Sequence, residues 1–521
     1  MAEEGKSRLY YLKPIADRLP AITRPEGHVH FKTKMMWTIL VLILYFMLTN
    51  VMIYGLDQEQ TIDLFESYRA IMAGASGSLM HLGIGPIVTG SIIMQLFVGA
   101  KIFNLDLKDE EDRAVYQSSQ KFIVMIMILV EAVPQVYGYL MPSTTFINRM
   151  GDVWPGHGLG LARALIVIQL YVGSYLVFLM DEVVSKWGIG SGISLFIAAG
   201  VSRAIFTGSV SWIPYHRTEP LSASNPPGGT IPKTIYLLHH MSASQFAGGG
   251  YERILLQPPN PIIALVGTSI IFMVVCYAES SRIELPLAHE RARGARGRYP
   301  IRLIYASNIP VILMSALLAN VSMFSILLWS HPTLSKIPLL GNKWWVGEYE
   351  PGNTRPVAGI AWYLRRPRGL HDWLLPLLSR RYHLYLEGHE PWQVVAYILI
   401  YLAVMIIGSI MFAKFWIETT NMGPEAVAEQ IQSSGMRIPG FRRDPRVLKK
   451  VLERYIPVVT VISGAFVGAL AAFANMIGTV GQTSGTGVLL TVGILIRLYE
   501  DIGKEQMMEM HPVLRGFFGE G

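Results

Sequence analysis

Charge is what this sequence has least of. Of its 521 residues only 16% are Asp, Glu, Lys or Arg, while 51% are hydrophobic. The apolar residues fall in uncharged blocks of about 20, the length that crosses a hydrocarbon core of about 30 Å. That pattern excludes an ordinary soluble domain and predicts a polytopic membrane protein. Cysteine is nearly absent. Cys276 is the one cysteine, which rules out an internal disulfide and any cysteine metal cluster; inside an apolar block it reads as a packing residue. No Walker A loop, metal-ligand cluster or nucleophile–base constellation is present, so the chain offers no enzyme chemistry and calls for no cofactor. His239, His240 and His289 fall in loops and read as solvated.

What is present is a series of ten expected spans, at about 35–56, 85–100, 121–139, 161–180, 188–207, 261–279, 303–328 and 392–413, with the run 455–496 divided in two at Gly478-Thr479-Val480-Gly481-Gln482. The first 34 residues are polar and basic, with an apolar side that suits the membrane surface, so the first apolar block is expected to act as its own insertion signal. The loops at 282–302 and 414–454 are also basic. Short basic loops stay cytoplasmic, which places both termini and the tail 506–521 in the cytoplasm. The charged residues Asp181, Glu182 and Lys186 are expected to form a turn between the fourth and fifth spans. A Pro- and Gly-rich linker at 211–257 separates an N-terminal half (35–210) from a C-terminal half (258–505). Five spans per half force opposite orientations, as in inverted repeats. The expected fold is therefore all-α, two inverted halves forming a clamshell. A long external segment, 330–392, has a short helix expected near 373–379.

The stretch Thr61–Lys101 organises the rest. Ile62, Phe65, Ile71 and Met72 alternate with polar residues at helical spacing over a length too short to span. The small residues 74–78 predict a flexible link, and Pro86 suits the first turn of a full span. This is a half-helix on a hinge, a plug at 61–80. Non-helical backbone at membrane depth is tolerated only inside protein or against a water-filled cavity. Glu131, mid-span, is a functional candidate by default, with Thr89 and Asn320 as possible partners. Ile84 with Val88, and Ile193 with Ile197, each share a helix face; such aliphatic rings gate a pore by excluding water, although ordinary packing explains any one of them. The arginines of the two basic loops exceed what orientation requires and suit an anionic partner such as ribosomal RNA.

The strings LGIGPIVTGSIIMQ, KWGIGSGISLFIAAGVS, YASNIPVILMSALLAN, MRIPGFRRDPRVLKKVLERYIP and GTGVLLTVGILIRLYE, in this order, resemble the SecY family of protein-conducting channel subunits, most closely its archaeal branch. The resemblance covers nearly the whole chain, with 330–392 the least matched. It implies a pore ring of Ile84, Val88, Ile193, Ile197, Ile312 and Leu490, and a lateral-gate polar cluster of Thr89, Glu131 and Asn320. It implies a plug containing Ile62, Phe65, Ile71 and Met72. Docking of the ribosome and the signal recognition particle receptor would fall to Arg291, Arg293, Arg296 and Arg298 in one loop and to Arg437, Arg442 and Arg443 in the other. Small SecE-like and beta (SecG-like) membrane subunits are implied partners, and signal sequences and nascent chains the cargo, released sideways into the lipid bilayer of the cell membrane. A secondary transporter with broken helices is the main alternative, and an intramembrane hydrolase the second. Scarce intramembrane charge speaks against the first and the lack of a nucleophile against the second.

Overall fold

The computed structural model describes the chain except for residues 1–7, 12–13, 15–17, 19, 21, 24, 26, 28, 58–71, 100–101, 104, 106–108, 216–218, 290–295, 303–307, 331–333, 339, 351–353, 379–385, 387, 421, 434–435, 438–444 and 511–521. Ten long helices stand at the expected spans: α1 (Phe31–Leu48), α2 (Gly85–Gly99), α3 (Glu110–Gly138), α4 (Gly158–Trp187), α5 (Gly192–Val210), α6 (Ile262–Ser280), α7 (Ile309–Ser330), α8 (Pro391–Thr419), α9 (Pro445–Ile477) and α10 (Gly485–Met510). Eight are long and apolar enough to cross a membrane. The other two are α2, only 15 residues long, and α10, whose second half is charged.

Several ends differ from the sequence expectation. The first helix stops at Leu48 because the apolar residues after it are used as loop. Met52 bridges to Ser78 and Leu56 to Pro142, so Val51–Leu56 covers the root of the plug instead of continuing the span. Asp181, Glu182 and Lys186 do not form a turn; they are helical, in α4. Asp181 Oδ1 accepts the Ile193 N–H at 2.8 Å, and Glu182 bridges Lys121 of α3 at 2.6 Å and Lys186 at 3.3 Å. Their charges fix helix ends together, which local sequence does not reveal. The basic loop 282–302 is a hairpin, β1 (Arg282–His289) with β2 (Arg296–Arg302), extended on the free side of β1 by β3 (Met436–Arg437). Short helices Ile360–Leu364 and Leu374–Leu378 lie in the long segment 330–392.

The two halves touch along two seams. On one, α2 and α3 pack against α7 and α8; on the other, α5 packs against α10 and the tip 480–482. The linker starts at the end of α5 and runs to α6, beside the second seam. Lys34 of α1 and Glu505 of α10 pair at 2.6 Å, which puts the start and the end of the helical body on one face, the terminal face. The linker, the tip 478–484 and the segment 330–390 lie on the opposite face.

Candidate functional site

The first seam carries a chain of polar contacts inside otherwise apolar packing. Thr89 is one turn into α2. Its hydroxyl lies 2.9 Å from both Glu131 Oε1 of α3 and the Gly85 carbonyl, two acceptors that share its single proton. Asn320 of α7 donates its Nδ2 to the Thr89 hydroxyl at 3.0 Å. The structure therefore brings Thr89, Glu131 and Asn320 together across the seam. All three are buried, Glu131 at 1% exposure. Among the described residues, Glu131 Oε2 and Asn320 Oδ1 have no hydrogen-bond partner, so the contact is incomplete and weak for its burial.

Two further rungs were not recognised in the sequence. Gln135 and Tyr139 follow Glu131 at i+4 and i+8, the spacing that keeps side chains on one helix face; that repeat was the available signal. Gln135 Nε2 approaches Met323 Sδ of α7 at 3.9 Å. The Tyr139 hydroxyl meets the Ser330 hydroxyl and donates to the Ile326 carbonyl at 3.3 Å. Gln135 and Tyr139 thus hold partners on α7 directly, whereas Glu131 reaches Asn320 of α7 through Thr89.

Gln135 also reaches the root of the plug. The Gly77 N–H donates to His81 Nδ1 at 3.0 Å, and His81 Nε2 lies 3.1 Å from Gln135 Oε1. Because the Gly77 amide can only donate, Nδ1 is the acceptor and Nε2 carries the proton. The stretch 72–84 is no loose link. Met72, Ala73, Ser78, Met80, His81, Leu82 and Ile84 are all at least 95% buried. The Tyr45 hydroxyl donates to the Ala73 carbonyl at 2.8 Å, and the Ile84 N–H to the Met72 carbonyl at 2.8 Å. Gly77 and Gly83 have positive φ, so the glycines serve a tight buried turn. The small residues were misread because composition alone does not distinguish a hinge from a compact turn. Of the expected plug residues only Met72 is described. Ile62, Phe65 and Ile71 lie outside the described residues.

Met72 closes a cavity of about 10 Å³ with Ile84, Val88, Ile312, Ser315 and Ala316, about the least room a single water needs. Three expected ring residues, from α7 and the start of α2, therefore meet directly under the end of the plug stretch. Ile197 and Leu490 are fully buried in the same core and Ile193 packs against it, but none of these three lines that cavity. Cys276 is a half-buried free thiol packed on the same core.

On the terminal face, Arg296 and Arg437 both pair with Ala288, from opposite sides of β1, and Arg298 pairs with Pro286. The sheet thus aligns two loops that are far apart in sequence. Arg291, Arg293, Arg442 and Arg443 lie outside the described residues.

Met72, Ile84, Val88 and Ile312 thus meet between the two halves with almost no space left among them. A family model described as SecY matches residues 78–499, and one described as the plug domain of Sec61p matches residues 43–77. The chain is 45% identical over 511 residues to the protein translocase subunit SecY of Archaeoglobus fulgidus, covering 98% of each chain. It is 40% identical to that of Methanocaldococcus jannaschii over 96% of this chain and 98% of the relative. A solved structure described as "The structure of a protein conducting channel" superposes with a TM-score of 0.74 at 39% identity, covering 96% of this chain and 98% of that one. Another, "Sec61 in the Canine ribosome-channel complex from the endoplasmic reticulum", gives 0.72 at 39% identity, with the same coverage. With both family models tiling residues 43–499 and relatives matching end to end, the chain belongs to the SecY family.

Proposed function

We propose that this chain is the central channel subunit of a protein translocase, passing secretory polypeptides through the membrane and releasing transmembrane segments sideways into lipid. The observation that carries this reading is the meeting of Met72 with Ile84, Val88 and Ile312 beside a seam held by few polar contacts. A passing polypeptide has no fixed chemistry, so its conduit offers no specific ligands. An aliphatic collar accommodates any side chain and excludes water when closed. Ile193, Ile197 and Leu490 complete the collar in this reading. Signal sequences are apolar helices, and a seam bound by Thr89, Glu131 and Asn320 parts to let them out.

The likeness to translocase subunits and to a protein-conducting channel supports a channel role without catalysis. A translating ribosome supplies the push, docking with the signal recognition particle receptor on the arginines of 291–298 and 437–443. The alignment of Arg296 with Arg437 supports one shared docking platform. SecE-like and SecG-like subunits brace the channel. The terminal face is cytoplasmic, supported by the basic character of its loops.

Deleting residues 61–73 tests the plug. The resting channel in planar bilayers is expected to conduct ions continuously. Conductance equal to that of the native chain overturns the plug assignment.

A further inference from the structure

Glu279, one residue before the end of α6, is 3% exposed, and Asn308, the residue before α7, is 4% exposed. Asn308 donates its Nδ2 to Glu279 Oε1 at 2.9 Å. Among the described residues, the other two polar atoms of the pair, Glu279 Oε2 and Asn308 Oδ1, have no partner. Buried polar groups are nearly always paired, so a half-satisfied pair at the root of a helix calls for a physical reason.

Helix capping is not that reason. Asn308 stands where Asn ordinarily caps a helix, with Oδ1 accepting an N–H of the first turn. Its main-chain carbonyl does accept the Val311 and Ile312 N–H groups, at 3.2 and 3.3 Å. Its side chain instead turns away from its own helix, to Glu279 of α6. The β1–β2 hairpin runs out from α6 and back to α7, with Arg282 paired to Arg302 at its base. The Glu279–Asn308 contact therefore stands at the neck of that hairpin and ties the end of α6 to the start of α7.

The neck lies against α10 at Gly493. A Cβ there would collide with the Asn308 amide and stand 2.7 Å from Glu279 Oε1, so glycine is what admits the pair. Three helices of the C-terminal half meet at this one polar point. It is one turn from two collar residues. Ile312 follows Asn308 at i+4, and Leu490 precedes Gly493 by three, spacings that share a helix face. Ile312 lines the cavity under Met72. The N-terminal half uses the same device. Asp181, near the end of α4, accepts the Ile193 N–H in the first turn of α5 at 2.8 Å, and a Cβ at Gly192 would stand 2.9 Å from that carboxyl oxygen. In each half a carboxyl group near the end of one helix holds the start of the next, which carries collar residues.

We propose that Glu279 and Asn308, seated on Gly493, are positioning residues for the collar: they set the height and rotation of the first turn of α7, and so the place of Ile312. This rests on the reading of Ile312 as a collar residue. Apolar packing has no preferred direction, whereas a hydrogen bond fixes both length and angle. The cavity among Met72, Ile84, Val88 and Ile312 holds about 10 Å³, about the least room for one water. A small displacement of Ile312 therefore decides whether water enters.

The test records the full chain at rest in planar bilayers, with the thermal midpoint measured on the same preparations. Asn308→Ala removes the donor, and Gly493→Ala displaces the amide while leaving both polar side chains. In each, brief ion-conducting openings are expected to become about tenfold more frequent, the effect of one lost hydrogen bond. Glu279→Gln keeps an acceptor for the Asn308 amide and puts a donor where Oε2 had no partner. It is expected to be as quiet as the native chain. A purely structural pair would lower the midpoint without any leak below it. Gly493→Ala decides the matter if Asn308→Ala fails to fold. Ile312→Ser is the control for the collar itself and is expected to leak. If it leaks while Asn308→Ala and Gly493→Ala stay quiet, the proposal falls and the collar stands. If Ile312→Ser stays quiet, both fall. Glu279→Gln leaking as freely as Asn308→Ala also overturns the proposal.

Discussion

Thr89 carries the seam contact, and Thr89→Val removes its hydroxyl while keeping its shape. Two interhelical hydrogen bonds go with it: the 2.9 Å contact to Glu131 and the 3.0 Å contact from Asn320. The contact to the Gly85 carbonyl is within α2 and its loss does not bear on the seam. Hydrogen bonds between membrane helices are worth about 0.6 kcal/mol on average and about 1.7 at most. The closed seam therefore loses about 1–3 kcal/mol, a shift of about 5- to 150-fold toward the parted state. The parted state loses little, since its polar groups face water or a passing chain. In reconstituted vesicles the variant is expected to translocate substrates whose signal sequences are too weakly apolar for the native channel. In planar bilayers its brief openings are expected to become more frequent. A double-mutant cycle with Asn320→Ala isolates the coupling between the two. Unchanged signal-sequence stringency, or a variant that demands stronger signals, refutes the claim that these contacts hold the seam closed.

Lys233 predicts a pH dependence. Burial first, with Arg253 second, lowers its ammonium from 10.5 to about 8, so between those values the unfolded chain binds more protons than the folded one. Stability relative to Lys233→Met is expected to rise across pH 8 to 10.5 by up to about 3 kcal/mol, and a flat difference in thermal midpoint counts against a buried ammonium. Gly481, at φ +77°, lies so close to α5 that a Cβ would collide with the Ala204 carbonyl. Gly481→Ala is therefore expected to cost more stability than the about 1–2 kcal/mol of the backbone conformation alone, read as a lower thermal midpoint, and an unchanged midpoint removes this contact from the hinge. Arg442→Glu is expected to weaken ribosome binding in co-sedimentation while the thermal midpoint holds; native-level binding removes the docking role.

How far the sequence carried varies by element. The number and place of the spans were legible because crossing lipid demands about 20 apolar residues whatever the tertiary fold. The helix ends were less so. The apolar residues 51–56 serve the plug root, Asp181 holds Ile193, and Glu182 holds Lys121 and Lys186. The grouping of Thr89 with Glu131 and Asn320 came from the family resemblance and the rarity of charge at depth. Its continuation through Gln135, Tyr139 and His81 escaped notice, although the i, i+4, i+8 spacing was there, because Gln, Tyr and His are not costly enough in a helix to stand out.

Polarity against a fixed lipid thickness is a property each segment carries alone, so the chain by itself determined that it spans the membrane repeatedly, in two halves joined by a linker, with a short apolar stretch left over before α2. Contacts between segments far apart are not written in either partner. Tertiary structure alone decided that Met72 seats on Ile84, Val88 and Ile312, that residues 72–84 form a buried turn pinned by Tyr45 and Gln135, and that Arg296 aligns with Arg437. It likewise folded an arginine-bearing external segment over the hinge. Each depends on which helices lie side by side, and packing settles that through the whole set of apolar faces at once.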